Sequence, residues 1–231
     1  MEVRTIQLKK TILEDNDRDA DLLRQQLKQQ KTYYLNIMSS PGSGKTTTLI
    51  ATIRALMETA ADDKPLRIGV MEADIDSDVD ARTIAEKTGV PAVQLHTGGM
   101  CHLDADMSRQ GLREIGSENL DLVFLENVGN LVCPAEFDTG AEKNAVILSV
   151  PEGDDKPLKY PLMFREADAV IVNKTDAMPA FDFDPERFRK HLAACNENVP
   201  VFFISAATGE GVDQWCAWLK DEVSKYLQEQ A

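Results

Sequence analysis

Histidine and cysteine are scarce in this chain: three and four, respectively, among 231 residues. Basic residues are also in deficit, with 25 Lys and Arg against 39 Asp and Glu and a formal net charge of −14. That balance argues against a nucleic-acid partner, because binding phosphate chains by counterion release needs a basic face. It argues equally against attachment to an anionic membrane surface. No apolar run approaches the ~20 residues of a transmembrane helix, and the opening MEVRTIQLKK carries no apolar stretch of a secretory signal. A cytoplasmic protein is therefore the expectation. The cysteines, at 101, 133, 195 and 216, are expected free or metal-bound rather than bridged there. Internal repeats, low-complexity tracts and long linkers are missing as well.

What is present is an ordinary globular composition, 43% hydrophobic and 28% charged, in a chain long enough for one large domain. Short apolar runs recur at YYLNIM (33–38), LRIGVME (66–72), PAVQLH (91–96), LDLVFLE (120–126), AVILSV (145–150), ADAVIVN (167–173) and VPVFFIS (199–205). Helix-like segments over 11–30, 46–57, 80–89, 103–115, 160–166, 185–194 and 211–228 precede, separate and follow them. Near-continuous apolar strands alternating with helices predict an α/β fold, a mostly parallel sheet with helices on both faces.

SSPGSGKTTT (39–48) sits where a strand hands over to a helix, the setting a phosphate-binding loop requires. Gly42, Ser43 and Gly44 let backbone N–H groups surround phosphates. Lys45 reaches the β- and γ-phosphates, the Thr46 hydroxyl suits Mg²⁺, and Thr47 continues the first helical turn. Ser39 stands where such loops usually begin with glycine. NKTD (173–176) and SAATGEG (205–211) each follow a strand, so both lie at the edge where open α/β sheets bind ligands. The Asp176 carboxylate can accept from the two adjacent N–H donors of guanine, which adenine lacks. Asn173 precedes Lys174, whose stem can lie on the ring; Ser205 precedes Ala206, whose N–H meets the guanine carbonyl. GTP and GDP are the expected ligands. For Mg²⁺ and the attacking water, Asp74 is the first candidate, with Asp76, Asp78 and Asp80 as rivals in EADIDSDVD. Glu126 opens an ExxG that ends at Gly129, in the position of a γ-phosphate sensor.

GGMCHLDAD (98–106) sets Cys101 against His102 after two glycines, and Cys133 follows Gly129 by four residues. Thiolate and imidazole suit Ni²⁺ or Zn²⁺ and are poor ligands for Mg²⁺. The spacing leaves open whether these are ligands or small buried side chains. Cys195 and Cys216, on predicted helices, read as packing, and His96, ending a strand, as a hydrogen-bonded core residue.

The series ILEDND, MSSPGSGKTT, EADIDSDVDA, TGGMCHLDADM, LENVGNLVCPAEFDTG, EGDDKPLKYP, NKTD and SAATGEG resembles, nearly end to end, the HypB family of nickel-incorporation GTPases in hydrogenase maturation. The resemblance implies a P-loop NTPase of the SIMIBI class, with a helical extension over 1–31 and a GTPase domain over 32–231 that embeds the metal site. It implies nickel or zinc on Cys101, His102 and Cys133, and Mg²⁺ near Thr46, Asp74 and Glu126. It implies catalysis involving Lys45, Asp74 and Glu126, with slow turnover. The implied partners are a second copy bound in a nucleotide-dependent manner, the hydrogenase large subunit and a second nickel-maturation protein. Lys156 and Lys159 fall in a stretch that lies near the dimer interface in the family. The cysteine-rich or histidine-rich N-terminal stretches of some members have no counterpart here. The related urease-maturation motif Cys-Pro-His is broken by Ala135 after Cys133-Pro134. A nucleotide switch without a metal, and a P-loop kinase for a small molecule, are the competing readings.

Overall fold

The computed structural model describes residues 8–58, 65–75 and 77–229. The chain opens with α1 (Leu8–Gln30), then alternates β1 (Tyr33–Ser39), α2 (Lys45–Glu58), β2 (Ile68–Asp74), α3 (Val79–Thr88), β3 (Ala92–His96), α4 (Ala105–Glu114) and β4 (Leu122–Glu126). After a one-turn helix α5 (Cys133–Glu136) come β5 (Lys143–Ser149), α6 (Lys156–Lys159), α7 (Pro161–Arg165), β6 (Ala169–Asn173), α8 (Pro185–Ala193), β7 (Val201–Phe203) and α9 (Val212–Gln228).

The seven strands form one parallel sheet in the order β3-β2-β4-β1-β5-β6-β7. Residues alternate across the sheet, so β1 sends Tyr33, Leu35 and Ile37 to one face and Tyr34 and Met38 to the other. The first face packs Leu49 and Ile53 of α2 and Trp215, Leu219 and Val223 of α9. The second packs Leu23 and Leu27 of α1 and Leu112 of α4 at one end, and Met163, Phe164 and Phe188 at the other. The central strands β1, β4 and β6 are buried along their whole length and mostly apolar, with Asn36, Ser39, Glu126 and Asn173 as buried polar exceptions, whereas the edge strands β3 and β7 are only half-buried.

Local chemistry sets the element ends. Gly89, at φ 76°, ends α3 by donating its N–H to the Ala85 carbonyl. Asp104 and Asp184 cap α4 and α8 through their side chains. The helix expected near 160–166 is α7, and a further one-turn helix, α6, precedes it; each has a proline in its first turn that donates no N–H to a preceding turn. Because β1 lies between β4 and β5, the loops after β1, β4 and β6 meet at the carboxyl edge of the sheet. No helix among the described residues is long and apolar enough to cross a membrane.

Candidate functional site

The loop between β1 and α2 is braced by its own hydroxyls. Ser43 Oγ donates to Ser39 Oγ at 2.7 Å, and Ser39 Oγ donates to the Ser40 carbonyl at 2.7 Å. Serine at position 39 is thus a strut, and both side chains are fully buried. Ser40 Oγ bonds Glu152, whose other oxygen accepts from the Ser149 N–H and hydroxyl, so the loop is also tied to the end of β5. Gly42 and Gly44 have φ of 75° and 95°, the left-handed region that favours glycine. Lys45 and Thr46 start α2, and Thr47 is exposed on its first turn.

The loops carrying NKTD and SAATGEG join this cradle directly. Asn173, buried at the end of β6, donates to the Ser43 carbonyl at 3.0 Å and accepts from the Ala206 N–H at 3.1 Å. A Cβ on Gly44 would lie 2.5 Å from that same amide. Lys174, at φ 62°, donates to the Gly42 carbonyl at 2.7 Å. Asp176 is exposed, and one carboxylate oxygen accepts from Ser205 Oγ at 2.6 Å. Asn173, Lys174, Asp176, Ser205 and Ala206 therefore converge beside the glycine loop, with Asp176 at the open end.

On the other side of Lys45 is a cavity of about 350 Å³ lined by Lys45, Glu72, Asp74, Asp80, Glu126 and Gly129, among others. Glu126 accepts from the Thr46 hydroxyl at 2.9 Å. Glu72 is paired with Glu126 across β2 and β4, and one oxygen of each carboxyl has no hydrogen-bond partner. Ligand atoms of Glu72, Asp80 and Glu126 lie within 4.8 Å of one another. Burial pushes Glu72 up to about 8, helped by the neighbouring Glu126, Asp74 and Asp80 charges. Burial likewise raises Glu126 to about 7, against the opposing pull of Lys45 and Thr46. Two buried carboxyls facing each other with free lone pairs fit a divalent cation, which would keep both ionised. Asp74 lines the same cavity and accepts from the Ser77 N–H at 3.0 Å. Of its rivals, Asp80 joins the cluster, Asp78 pairs with Arg82 at 2.6 Å, and Asp76 lies outside the described residues. Glu72 is the residue that sequence reasoning missed. Its signal was a carboxyl inside the otherwise apolar IGVMEA run, in register with Glu126.

The two thiols and the imidazole also come together. The Cys101 thiol contacts Cys133 and, with burial, raises that group's pKa. Cys101 Sγ is 3.9 Å from His102 Nδ1, and burial lowers the His102 pKa, favouring the neutral ring that ligates metals. His102 stacks on Phe137 with ring centroids 3.7 Å apart. Cys133 opens α5, where Asn130 donates to its sulfur at 3.5 Å and accepts from its N–H at 3.3 Å. The trio forms two contacts sharing Cys101; among the described residues only Glu72, Asp80 and Glu126 close mutually to 4.8 Å. His96 is exposed rather than core, because β3 is an edge strand. Cys195, just past the end of α8, donates to the Leu192 carbonyl, and Cys216, near the start of α9, donates to the Thr52 carbonyl. Lys159 is paired with Asp155, and Lys156 lies over the Tyr160 ring.

Residues 33–203 match the family model described as CobW/HypB/UreG, nucleotide-binding domain. The chain belongs to that family. Within it the likeness is to HypB: the hydrogenase maturation factor HypB of Azotobacter chroococcum mcd 1 is 46% identical over 217 residues, covering 94% of this chain and 69% of that relative. The crystal structure of HypB from Helicobacter pylori in complex with nickel superposes with a TM-score of 0.82 at 38% identity, covering 91% of this chain and 96% of that one. In fold alone the likeness extends to the signal recognition particle receptor FtsY from Elizabethkingia anophelis, at 16% identity and a TM-score of 0.56, covering 88% of this chain and 73% of that one. The HypB fold seen here is thus a P-loop NTPase of the SIMIBI class.

Proposed function

We propose that the protein is a slow, Mg²⁺-dependent GTPase that carries nickel, or zinc, on Cys101, His102 and Cys133 and assists nickel insertion during hydrogenase maturation. The observation that carries this reading is a single stretch. From Glu126 beside the phosphate loop, through Gly129, it runs to Cys133 beside Cys101 and to Phe137 on His102. Asp176 selects guanine, and Asn173 holds the base loop against the glycine loop. Thr46 and Glu126, with Glu72 and Asp80, would hold Mg²⁺, which supplies charge neutralisation at the γ-phosphate. Lys45 carries charge on the β- and γ-oxygens, and Asp74 orients the attacking water. Among the described residues lining this cavity Lys45 is the cation, with no arginine beside it, which agrees with slow turnover. Nickel is cargo, and its release to a hydrogenase large subunit, with a second nickel-maturation protein, would be timed by hydrolysis within a nucleotide-dependent homodimer in the cytoplasm.

The test measures nickel stoichiometry, nickel affinity and oligomer mass, each with GDP and with a non-hydrolysable GTP analogue. The expected result is a nickel affinity that differs between the two nucleotides. Cys101→Ala and Cys133→Ala should each abolish the site, whereas Cys195→Ala and Cys216→Ala should leave it intact. Equal affinity in both states, or nickel retained in Cys133→Ala, would overturn the reading.

A further inference from the structure

The ILEDND stretch lies in the first half of α1, away from nucleotide and thiols in sequence, and nothing above gives it a role. Asn16 is the residue of that stretch that turns inward, with 8% of its surface exposed. Its Nδ2 donates to the Asp138 carbonyl at 2.9 Å, and its Oδ1 accepts from the Ala105 N–H at 2.9 Å. Ala105 is the first residue of α4, shortly after Cys101 and His102. Asp138 follows Phe137, the ring stacked on His102, and α5, which begins at Cys133. One side-chain amide therefore ties together the two segments that carry the thiols and the imidazole. Satisfying the free N–H at the start of α4 accounts for one of its bonds; the bond to Asp138 has no such explanation.

Arg24, two turns further along α1, adds to the bridge. Its guanidinium pairs with both Asp138 carboxylate oxygens, and its Nε donates to the Ala141 carbonyl at 2.9 Å. Packing locates this segment only from the sheet side, where Pro134 is buried and Ala135 rests on the Met163–Phe164 cluster. Toward α1 it faces a half-open polar pocket of about 400 Å³, lined by Asp17, Arg24, Pro134, Phe137 and Asp138, among others. On that side the segment is located by its hydrogen bonds, since close-packed neighbours are few.

We infer that Asn16 is a positioning residue for the metal site: by bridging Ala105 and Asp138 it sets the separation of Cys133 from Cys101 and His102. The inference rests on the reading of those three residues as nickel ligands. Groups that orient ligands without touching the metal typically change affinity by about 10–100-fold when removed.

The test uses the full chain with Asn16→Ala and Asn16→Asp. The aspartate keeps the acceptor for the Ala105 N–H but cannot donate to the Asp138 carbonyl. Both variants should retain wild-type GDP affinity, bind Ni²⁺ about 10–100-fold more weakly, and show a diminished thiolate-to-nickel charge-transfer band. In metal-free protein, dibromobimane should bridge Cys101 to Cys133 more slowly in both variants than in wild type, scored by peptide mapping. Wild-type nickel affinity and wild-type bridging in Asn16→Asp would overturn the inference, and that variant decides should Asn16→Ala lose GDP binding by misfolding. Loss of GDP and nickel affinity in equal proportion in Asn16→Asp would also overturn it, as the mark of a residue that merely holds the fold. Nickel retained in Cys133→Ala would instead sink the underlying assignment of ligands, while the bridging rates still report on the clamp.

Discussion

Glu72→Gln should stabilise the nucleotide-free protein at neutral pH and do little in mild acid. The carboxyl is buried against Glu126, with an unpartnered oxygen, and holds its proton up to about 8, against an ordinary value of 4.5. Between those values the folded chain binds a proton that the unfolded chain has released, so this group's contribution to stability falls as pH rises through that window. At pH 7 the unfolded state has gained roughly 2.5 pH units of ionisation free energy, or about 3 kcal/mol. At pH 5 the corresponding figure is below about 1 kcal/mol. Glutamine keeps the shape and removes the titration. Allowing for the altered hydrogen bonding of the amide, the expected gain is about 2 kcal/mol at pH 7 and near zero at pH 5.

A shift of that size corresponds to a Tm increase of about 4–8 °C for a chain of this length. Glu126 is raised by the same burial and faces the same cluster, so removing one charge also eases ionisation of the other. Thermal unfolding at pH 5, 6, 7 and 8, without nucleotide or divalent cation, is the assay. Saturating Mg²⁺ and GTP should flatten the wild-type profile, because a cation in the cluster replaces the protons. Equal effects of the substitution at pH 5 and pH 7 would refute the reasoning.

Asp176→Asn should weaken GTP binding by about 2 kcal/mol or more, since it replaces the acceptor for guanine's two donors, and isothermal titration reads that directly. Gly129→Ala should weaken binding of the non-hydrolysable analogue more than that of GDP, because a Cβ there meets the Pro41 backbone at 3.2 Å and Lys45 Nζ at 3.3 Å; equal losses would show that the contact does not depend on the γ-phosphate. Asp74→Asn should retain nucleotide affinity while slowing single-turnover hydrolysis, whereas Asp78→Asn, whose carboxylate is committed to Arg82, should leave the rate unchanged.

That the glycine loop would meet the NKTD and SAATGEG loops was legible because each motif has particular residues at short spacing at a strand end. Gly44 has to be glycine for the Asn173 amide to reach the Ser43 carbonyl, and the sequence carries that constraint locally. The carboxylate cluster was only partly legible, because it depends on register. Glu72 and Glu126 are 54 positions apart and meet only when β2 pairs with β4. The thiol site was half legible for the same reason: Cys101 and His102 are adjacent in the chain, but their approach to Cys133 needs β4 beside β2 and a helical turn at α5. His96 was misjudged because periodicity does not say which strand lies at an edge. The half-open pocket between α1 and α5 and the inward turn of Asn16 are properties of packing alone.

The stretch after β4 is held at both ends. At its start Asn127, fully buried, donates to Asn36 Oδ1 at 3.1 Å, and Asn36 donates to Asn144 Oδ1 at 2.9 Å. This amide ladder crosses three adjacent strands, β4, β1 and β5, so Asn127 does not move without the sheet. Beyond it, Gly129 lies close enough to the phosphate loop that a Cβ there would meet Pro41 at 3.2 Å, and the Asn130 side chain holds Cys133 by both its N–H and its sulfur. A displacement at Gly129 therefore has one outlet, through Asn130 to the thiol, rather than back into the core. Linkage makes the consequence reciprocal: whatever factor nucleotide imposes on metal affinity, metal imposes on nucleotide affinity. Coupling of this kind is usually about 1–3 kcal/mol, or five- to 150-fold. The clamp at Asn16 acts at the far end of the same stretch, holding Asp138. The segment between them, which carries Cys133, is where the two constraints meet.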